Sequence, residues 1–318
     1  ALAMAVFASC SSEDELAQSN YPMDNVVRII TSVDGMNTRA SYGNSTDKLN
    51  SFGFCINNAG SDKYTYDNIK VTKEGYNWIP ATQMLWQNST TAVDILAYAP
   101  YQETTEDANG KVKVFGKTDY AFSVKEDQSN AEDYSSDLIV FKQTGFTPVS
   151  ELNTSKAVEV AFTHLLSQLN LIIELRDQFN TNNNTVTKGF VTDVKVNGTI
   201  ISSKVDFSAS PISVQVDGTQ TAAITPETTG FTPAENATAH AVFNYSAIVI
   251  PQTVAAGNFS ISFKVNNTEY IWTATDAVTF ESSKKHELHL LAGKDVVQGG
   301  AISAKPWGKE TITEKETD

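Results

Sequence analysis

Apolar and polar residues alternate with a period of two along most of this chain. The stretches "NIKVT" (68–72), "KVKVF" (111–115), "ISVQV" (212–216) and "NFSISFKV" (258–265) all show it. Successive side chains of an extended strand point to opposite faces, so this pattern builds half-buried sheet, whereas a helix repeats its apolar residues every three to four positions. Asn109-Gly110, Asn197-Gly198 and Asp217-Gly218 punctuate the runs. Such dipeptides supply the positive φ of tight turns, and "VKVNGTII" reads as a hairpin with a two-residue turn. Many short strands with frequent turns predict an all-β chain built of antiparallel sandwiches. One segment breaks the pattern. "VEVAFTHLLSQLNLIIEL" (158–175) starts as a strand through Val158, Val160 and Phe162, shows helical spacing around Leu165, Leu166 and Leu169, and resumes as a strand at Leu171, Ile173 and Leu175. Just upstream, "QTGFTPVSELNTSK" has the Gly and Pro of a linker. The expected division is a leading segment 1–24, an N-terminal sandwich 25–150 and a C-terminal sandwich 151–318.

The 318 residues are 41% hydrophobic and 10% aromatic, enough to fill packed cores, and no stretch is apolar for long enough to span a bilayer. A net charge of −14 repels phosphate backbones and anionic lipid, which excludes nucleic acid and direct binding to a membrane surface. Catalytic signatures are missing: no G-x-S-x-G, G-x-G-x-x-G or P-loop pattern occurs. "HELH" (286–289) is one residue short of H-E-x-x-H, and on a strand its two imidazoles point to opposite faces, so no metal site is expected there. "EDANGK" (106–111) lacks the ligands of a calcium loop and reads as a turn. His164 is expected to pack with a hydrogen-bonded ring. No enzyme, cofactor or metal is predicted.

Two cysteines occur, Cys10 and Cys55. In "SFGFCIN", Phe52, Phe54 and Ile56 share one strand face and Cys55 takes the other. A Cys10–Cys55 bridge would staple a terminus to a sheet, and two cysteines do not make a disulfide framework. "ALAMAVFASC" reads instead as the tail of an apolar signal segment, ending in small residues directly before Cys10. Lipoprotein signals end this way, with the cysteine thiol receiving the lipid, although Phe7 stands where Leu is commonest. The following "SSEDE" resembles the acidic tether of surface-exposed lipoproteins of Bacteroidetes-type bacteria. The expectation is an exported outer-membrane lipoprotein precursor that touches membrane only through its anchor on Cys10.

Arginine occurs only at positions 28, 39 and 176. Arg28 and Arg176 lie in or against predicted strands, where a protease cannot thread the backbone. Arg39 lies in "DGMNTRAS" (34–41), which has no apolar period and reads as an exposed loop. An arginine-specific protease would find one open bond there, Arg39–Ala40; an ordinary loop arginine reads the same. Tyr76, Trp78 and Trp86 in "EGYNWIPATQMLWQ" are candidate glycan contacts if exposed, and core-filling residues if not.

The chain resembles the fimbrillin family, the type V pilus subunits of Bacteroidales. The resemblance rests on the lipoprotein start, "NTRA", "ILAYAPY" (95–101), "DLIVF" (137–141), "FTHLLSQLNLII" (162–173), "AIVIPQTV" (247–254) and "ISAKPW" (302–307). It implies two transthyretin-like β-sandwich domains in tandem and a structural role, with other fimbrial subunits and an arginine-specific protease as partners and a surface ligand as an adhesion target. It further implies that a first strand at about 25–33, with Val27, Ile29 and Val33 facing the core, is released by cleavage after Arg39. The open groove would then accept a neighbour's C-terminal strand. The donor candidate here is 299–318, with Ile302, Ala304 and Trp307 as apolar contacts. Its end, "KETITEKETD", is charged, and Pro306 removes a ladder hydrogen bond. A tip subunit, or a glycan-binding surface lipoprotein outside the stalk, is the alternative.

Overall fold

The computed structural model describes residues 20–34, 46–103, 113–181 and 185–307. Its strands in the first half are β1 (Ile29–Asp34), β2 (Ser51–Asn57), β3 (Tyr66–Glu74), β4 (Asn77–Pro80), β5 (Val93–Ala99), β6 (Tyr120–Ser123), β7 (Ile139–Phe146) and β8 (Val158–His164). A single-turn helix, α1 (Pro148–Glu151), sits in the linker-like stretch. There follow β9 (Ser167–Leu175), β10 (Val191–Ile200), β11 (Ser202–Asp206), β12 (Ser213–Val216), β13 (Thr221–Ile224), β14 (Glu227–Thr232) and β15 (Ala241–Val249). The last are β16 (Gln252–Val254), β17 (Ser260–Val265), β18 (Thr268–Thr273), β19 (Val278–Phe280), β20 (Lys284–Ala292), β21 (Val297–Gly299) and β22 (Ser303–Pro306). The chain is all-β, as its alternation predicts.

Most of the first half forms one seven-stranded sheet in the order β1-β8-β7-β5-β2-β3-β4, and its edge strands β1 and β4 approach each other. The sheet therefore curls around an interior. Alternation decides which side chains go inside: β8 buries Val158, Val160 and Phe162 and exposes the residues between them. Phe52, Phe54 and Ile56 join them, while Cys55 faces the other way, into a second and larger core, as expected. That second core fills the space between β6, β11 and β12, a six-stranded sheet (β14-β15-β9-β20, with β21 and β22 both on β20) and a four-stranded one (β13-β10-β17-β18).

Four readings from the sequence are corrected. The helical spacing at Leu165–Leu169 makes no helix: β8 passes directly into β9, and the leucines are apolar on successive positions because the crossover is buried on all sides. Asn197-Gly198 is not a hairpin turn. β10 runs through it with a register shift, and Gly198 has φ of 94° with the Asn258 carbonyl packed against its Cα. Positive φ is needed at a bulge as at a turn, so the dipeptide signals both. The described part of "KVKVF", residues 113–115, is not a strand. Pairing is also not purely antiparallel, since β1 runs parallel to β8 and β20 parallel to β9. The Asn109-Gly110 turn lies outside the described residues.

A Cβ at position 198 would sit 2.0 Å from the Asn258 oxygen, whereas one at Gly189 meets nothing. Gly198→Ala is expected to destabilise by more than about 2 kcal/mol in urea denaturation, and Gly189→Ala by less than about 0.5 kcal/mol.

Candidate functional site

The N-terminal segment 20–34 lies in a groove and fills it. Along one side, β1 pairs in parallel with β8 in the register Ile29↔Val158 to Val33↔Phe162, and the Val158 amide donates to the Arg28 carbonyl at 2.8 Å. On the other side, Val27 N–H donates to the Met84 carbonyl (3.0 Å) and Trp86 N–H to the Asn25 carbonyl (2.8 Å). Asn20 Nδ2 donates to the Leu152 carbonyl at 3.0 Å. Val27, Ile29 and Val33 are buried beneath the strand, as the family resemblance implies. They meet a floor in which Phe52 packs edge-on against Phe162 (5.3 Å) and Trp78 (5.1 Å). Each such side chain contributes roughly 1.5–3 kcal/mol by leaving water. The segment is thus held by backbone and apolar contacts, and residues 35–45 connect it to the described residues that follow.

Arg28 lies directly before β1, exposed, with its carbonyl accepting from the Val158 N–H. Its guanidinium grips Asp24 through both nitrogens, at 2.6 and 3.0 Å, and this hydrogen bond, with one from the Val26 N–H, holds the Asp24 carboxyl down at about 2. Arg176 closes β9 and donates through Nη2 to Gln298 at 3.0 Å. Arg39 and Ala40, and the lipid-site candidate Cys10, lie outside the described residues.

The C-terminal candidates are engaged with their own chain. β22 pairs antiparallel with β20 in the register Lys284↔Pro306 to Glu287↔Ser303, which places Ala304 opposite His286. Ile302 is half-buried against the larger core, Ala304 is exposed and Trp307 is buried. The Trp307 indole stacks on the His164 ring at 3.9 Å with an interplanar angle of 4°, and His164 Nδ1 is 2.9 Å from Asp137 Oδ1. His164 is therefore a hydrogen-bonded packing residue, as expected, and it closes the strand against which β1 lies. Sequence reasoning misses this stack, for which "KPW" near the C-terminus is the only signal. The charged tail 308–318 lies outside the described residues.

The aromatic trio is not a platform. Trp86 is a core residue, stacked on Phe146 at 5.7 Å, so its glycan reading is overturned; Trp78 is half-buried in the groove floor, and Tyr76 alone is fully exposed. His286 and His289 point to opposite faces of β20, and no cluster suited to a metal occurs among the described residues. His289 and His240 instead share Glu174, at 2.6 and 2.5 Å. Burial pushes the Glu174 carboxyl up, but the two imidazole hydrogen bonds outweigh it and hold the group below its ordinary value. Cys55 is a buried free thiol whose pKa is pushed well up, first by burial.

The family model described as fimbrillin-like matches residues 38–307, and the chain belongs to that family, one of structural fimbrial and adhesion proteins. Among solved structures, it is similar to a candidate cell adhesion protein of Bacteroides ovatus ATCC 8483 (14% identity, TM-score 0.62, covering 90% of this chain and 98% of that one). A candidate cell adhesion protein of Bacteroides uniformis ATCC 8492 matches at 18% identity and TM-score 0.58, covering 90% and 99%. A fimbrial protein of Bacteroides vulgatus ATCC 8482 matches at 17% and 0.51, covering 89% and 99%. At these identities the likeness shows the fold. A search of curated proteins finds no match.

Two outcomes are expected. Trp307→Ala removes the cover of the His164–Asp137 pair and costs roughly 3 kcal/mol in denaturation, with faster amide exchange across 303–306. For Glu174, a depressed carboxyl pKa contributes stability above its unfolded value near 4.5, and this is lost as pH falls through the folded value. Glu174→Gln is therefore less stable than wild type at pH 6, by up to about 1 kcal/mol, and the gap closes by pH 3 in pH-dependent melting.

Proposed function

We propose that the chain is a fimbrial subunit, exported as a lipoprotein anchored through Cys10, activated by arginine-specific cleavage after Arg39 and polymerised by strand exchange in support of cell adhesion. The observation that carries this reading is the placement of β1. It is an edge strand, buried through Val27, Ile29 and Val33, and tied to the body by one covalent connection in which Arg39 lies. Cutting that connection leaves residues 20–34 held only by non-covalent contacts. Their departure opens the β8 edge and the aromatic floor, a costly surface that templates another strand. A neighbour's residues 299–318, led by Ile302, Ala304 and Trp307, are the donor, and each subunit both accepting and donating gives a head-to-tail polymer. Donation requires β22 and Trp307 to leave their own β20, so strand exchange in this chain is a transfer from an internal partner to an external one. The assembled fibre lies on the cell surface.

Mass spectrometry of protein purified from the cell surface tests the proposal. Fibres should consist of chains beginning at Ala40 and run as a heat-sensitive ladder on denaturing gels. Arg39→Ala should leave an acylated monomer, and deletion of 299–318 should abolish the ladder. Fibres in which every subunit retains an acylated Cys10 would contradict cleavage, and fibres that persist without the tail would contradict its donor role.

A further inference from the structure

The end of the donor candidate is fastened to its own chain mainly by one side chain. All four residues of β22, Ser303 to Pro306, are exposed, and Pro306 has no N–H to give to the ladder. Ile302 is half-buried, so the hold falls on Trp307. That residue is buried, donates its amide to the Ser283 carbonyl at 3.0 Å and stacks flat on the His164 ring. Its indole Nε1–H is buried with no hydrogen-bond partner among the described residues. An unpaired buried donor detracts from the docked state, so the indole is kept in place by packing alone.

The ring beneath it ends the strand that β1 completes. β1 pairs with β8 as far as Asp34↔Thr163, one residue before His164. On its other edge β8 meets β7 only at Thr163 and His164. Next to that short ladder a cleft of about 490 Å³, lined among others by Phe141, Lys142, Ala161, Thr163 and Ser283, gives β8 room to shift. β1 holds Val158 to Thr163 in register. Without it the strand keeps two paired residues, and its freedom reaches the His164 ring, whose flat contact tolerates little displacement. We propose that groove and tail are coupled: β1 in the groove clamps Trp307 on His164, and its loss loosens β22. A subunit is thereby released to donate when it is opened to accept, and an uncut chain holds its own donor strand down. Coupling of this kind rests on the reading of β1 as a removable plug and of 299–318 as the donor.

Hydrogen exchange on the full chain, with one protease site engineered between residues 34 and 46, tests it. After the cut and removal of 20–34, the amides of 303–305 and of Trp307 should exchange about fivefold faster or more. Titrating in a synthetic 20–34 peptide should return them to the uncut rate, while β10 and β17 stay unchanged throughout. Coupling between two sites is reciprocal, so Trp307→Ala, cut in the same way, should bind that peptide about fivefold more weakly. Trp307→Phe, which keeps a ring on His164, should bind it nearly as wild type does. The exchange measurement needs no variant and decides alone should Trp307→Ala fail to fold. Tail exchange indifferent to the peptide, equal peptide affinity in wild type and Trp307→Ala, or loosening of β10 and β17 along with the tail would overturn the coupling and leave the plug reading standing. A peptide that does not return to the groove at all would overturn both.

Discussion

The parallel ladder between β1 and β8 is the interaction on which the rest of the N-terminal architecture depends. β8 has little other support along that stretch, since β7 pairs with it only at Ile139↔His164 and Val140↔Thr163. The strand that carries Val158, Val160 and Phe162 into the core is therefore completed mainly by a segment from the start of the chain. That arrangement seals the interior for as long as the connection through 35–45 persists. It also concentrates apolar burial in a piece whose removal breaks no other strand.

The same strand leads to the C-terminal half. β8 ends at His164, and two residues later the chain re-enters as β9 in another sheet. His164 is buried with Asp137 and capped by Trp307, while Ser283 Oγ donates to the His164 carbonyl and Ser282 Oγ to the Leu165 carbonyl. The crossover is thus tied to the turn before β20 and to the last described strand. The acceptor edge and the donor candidate of the proposed exchange meet at one junction, so the state of the tail bears on the end of the groove.

Much of this was legible in the sequence where a local rule applies. Alternation placed Phe52, Phe54 and Ile56 on one face and Cys55 on the other, and the family resemblance implied that Val27, Ile29 and Val33 face the core. Alternation also separated His286 from His289. What local rules do not encode was missed. A parallel partner far along the chain leaves no turn signal, so β1 on β8 could not be read. Asn197-Gly198 marks a positive φ without saying whether the chain turns or bulges. Leu165, Leu166 and Leu169 look helical because a buried crossover is apolar at successive positions. Trp86 shows that aromatic composition does not separate platform from core.

The central claim is that β1 is a removable plug whose loss opens β8. Hydrogen exchange read by mass spectrometry, before and after a single cut between residues 34 and 46, tests it most directly. The account predicts that after the cut, once residues 20–34 have been washed away, the amides of Val158, Val160 and Phe162 exchange rapidly while those of β2 and β5 stay protected. A synthetic peptide of residues 20–34 should restore the protection. Unchanged protection of β8 without the segment, or collapse of the whole seven-stranded sheet on its removal, would contradict it.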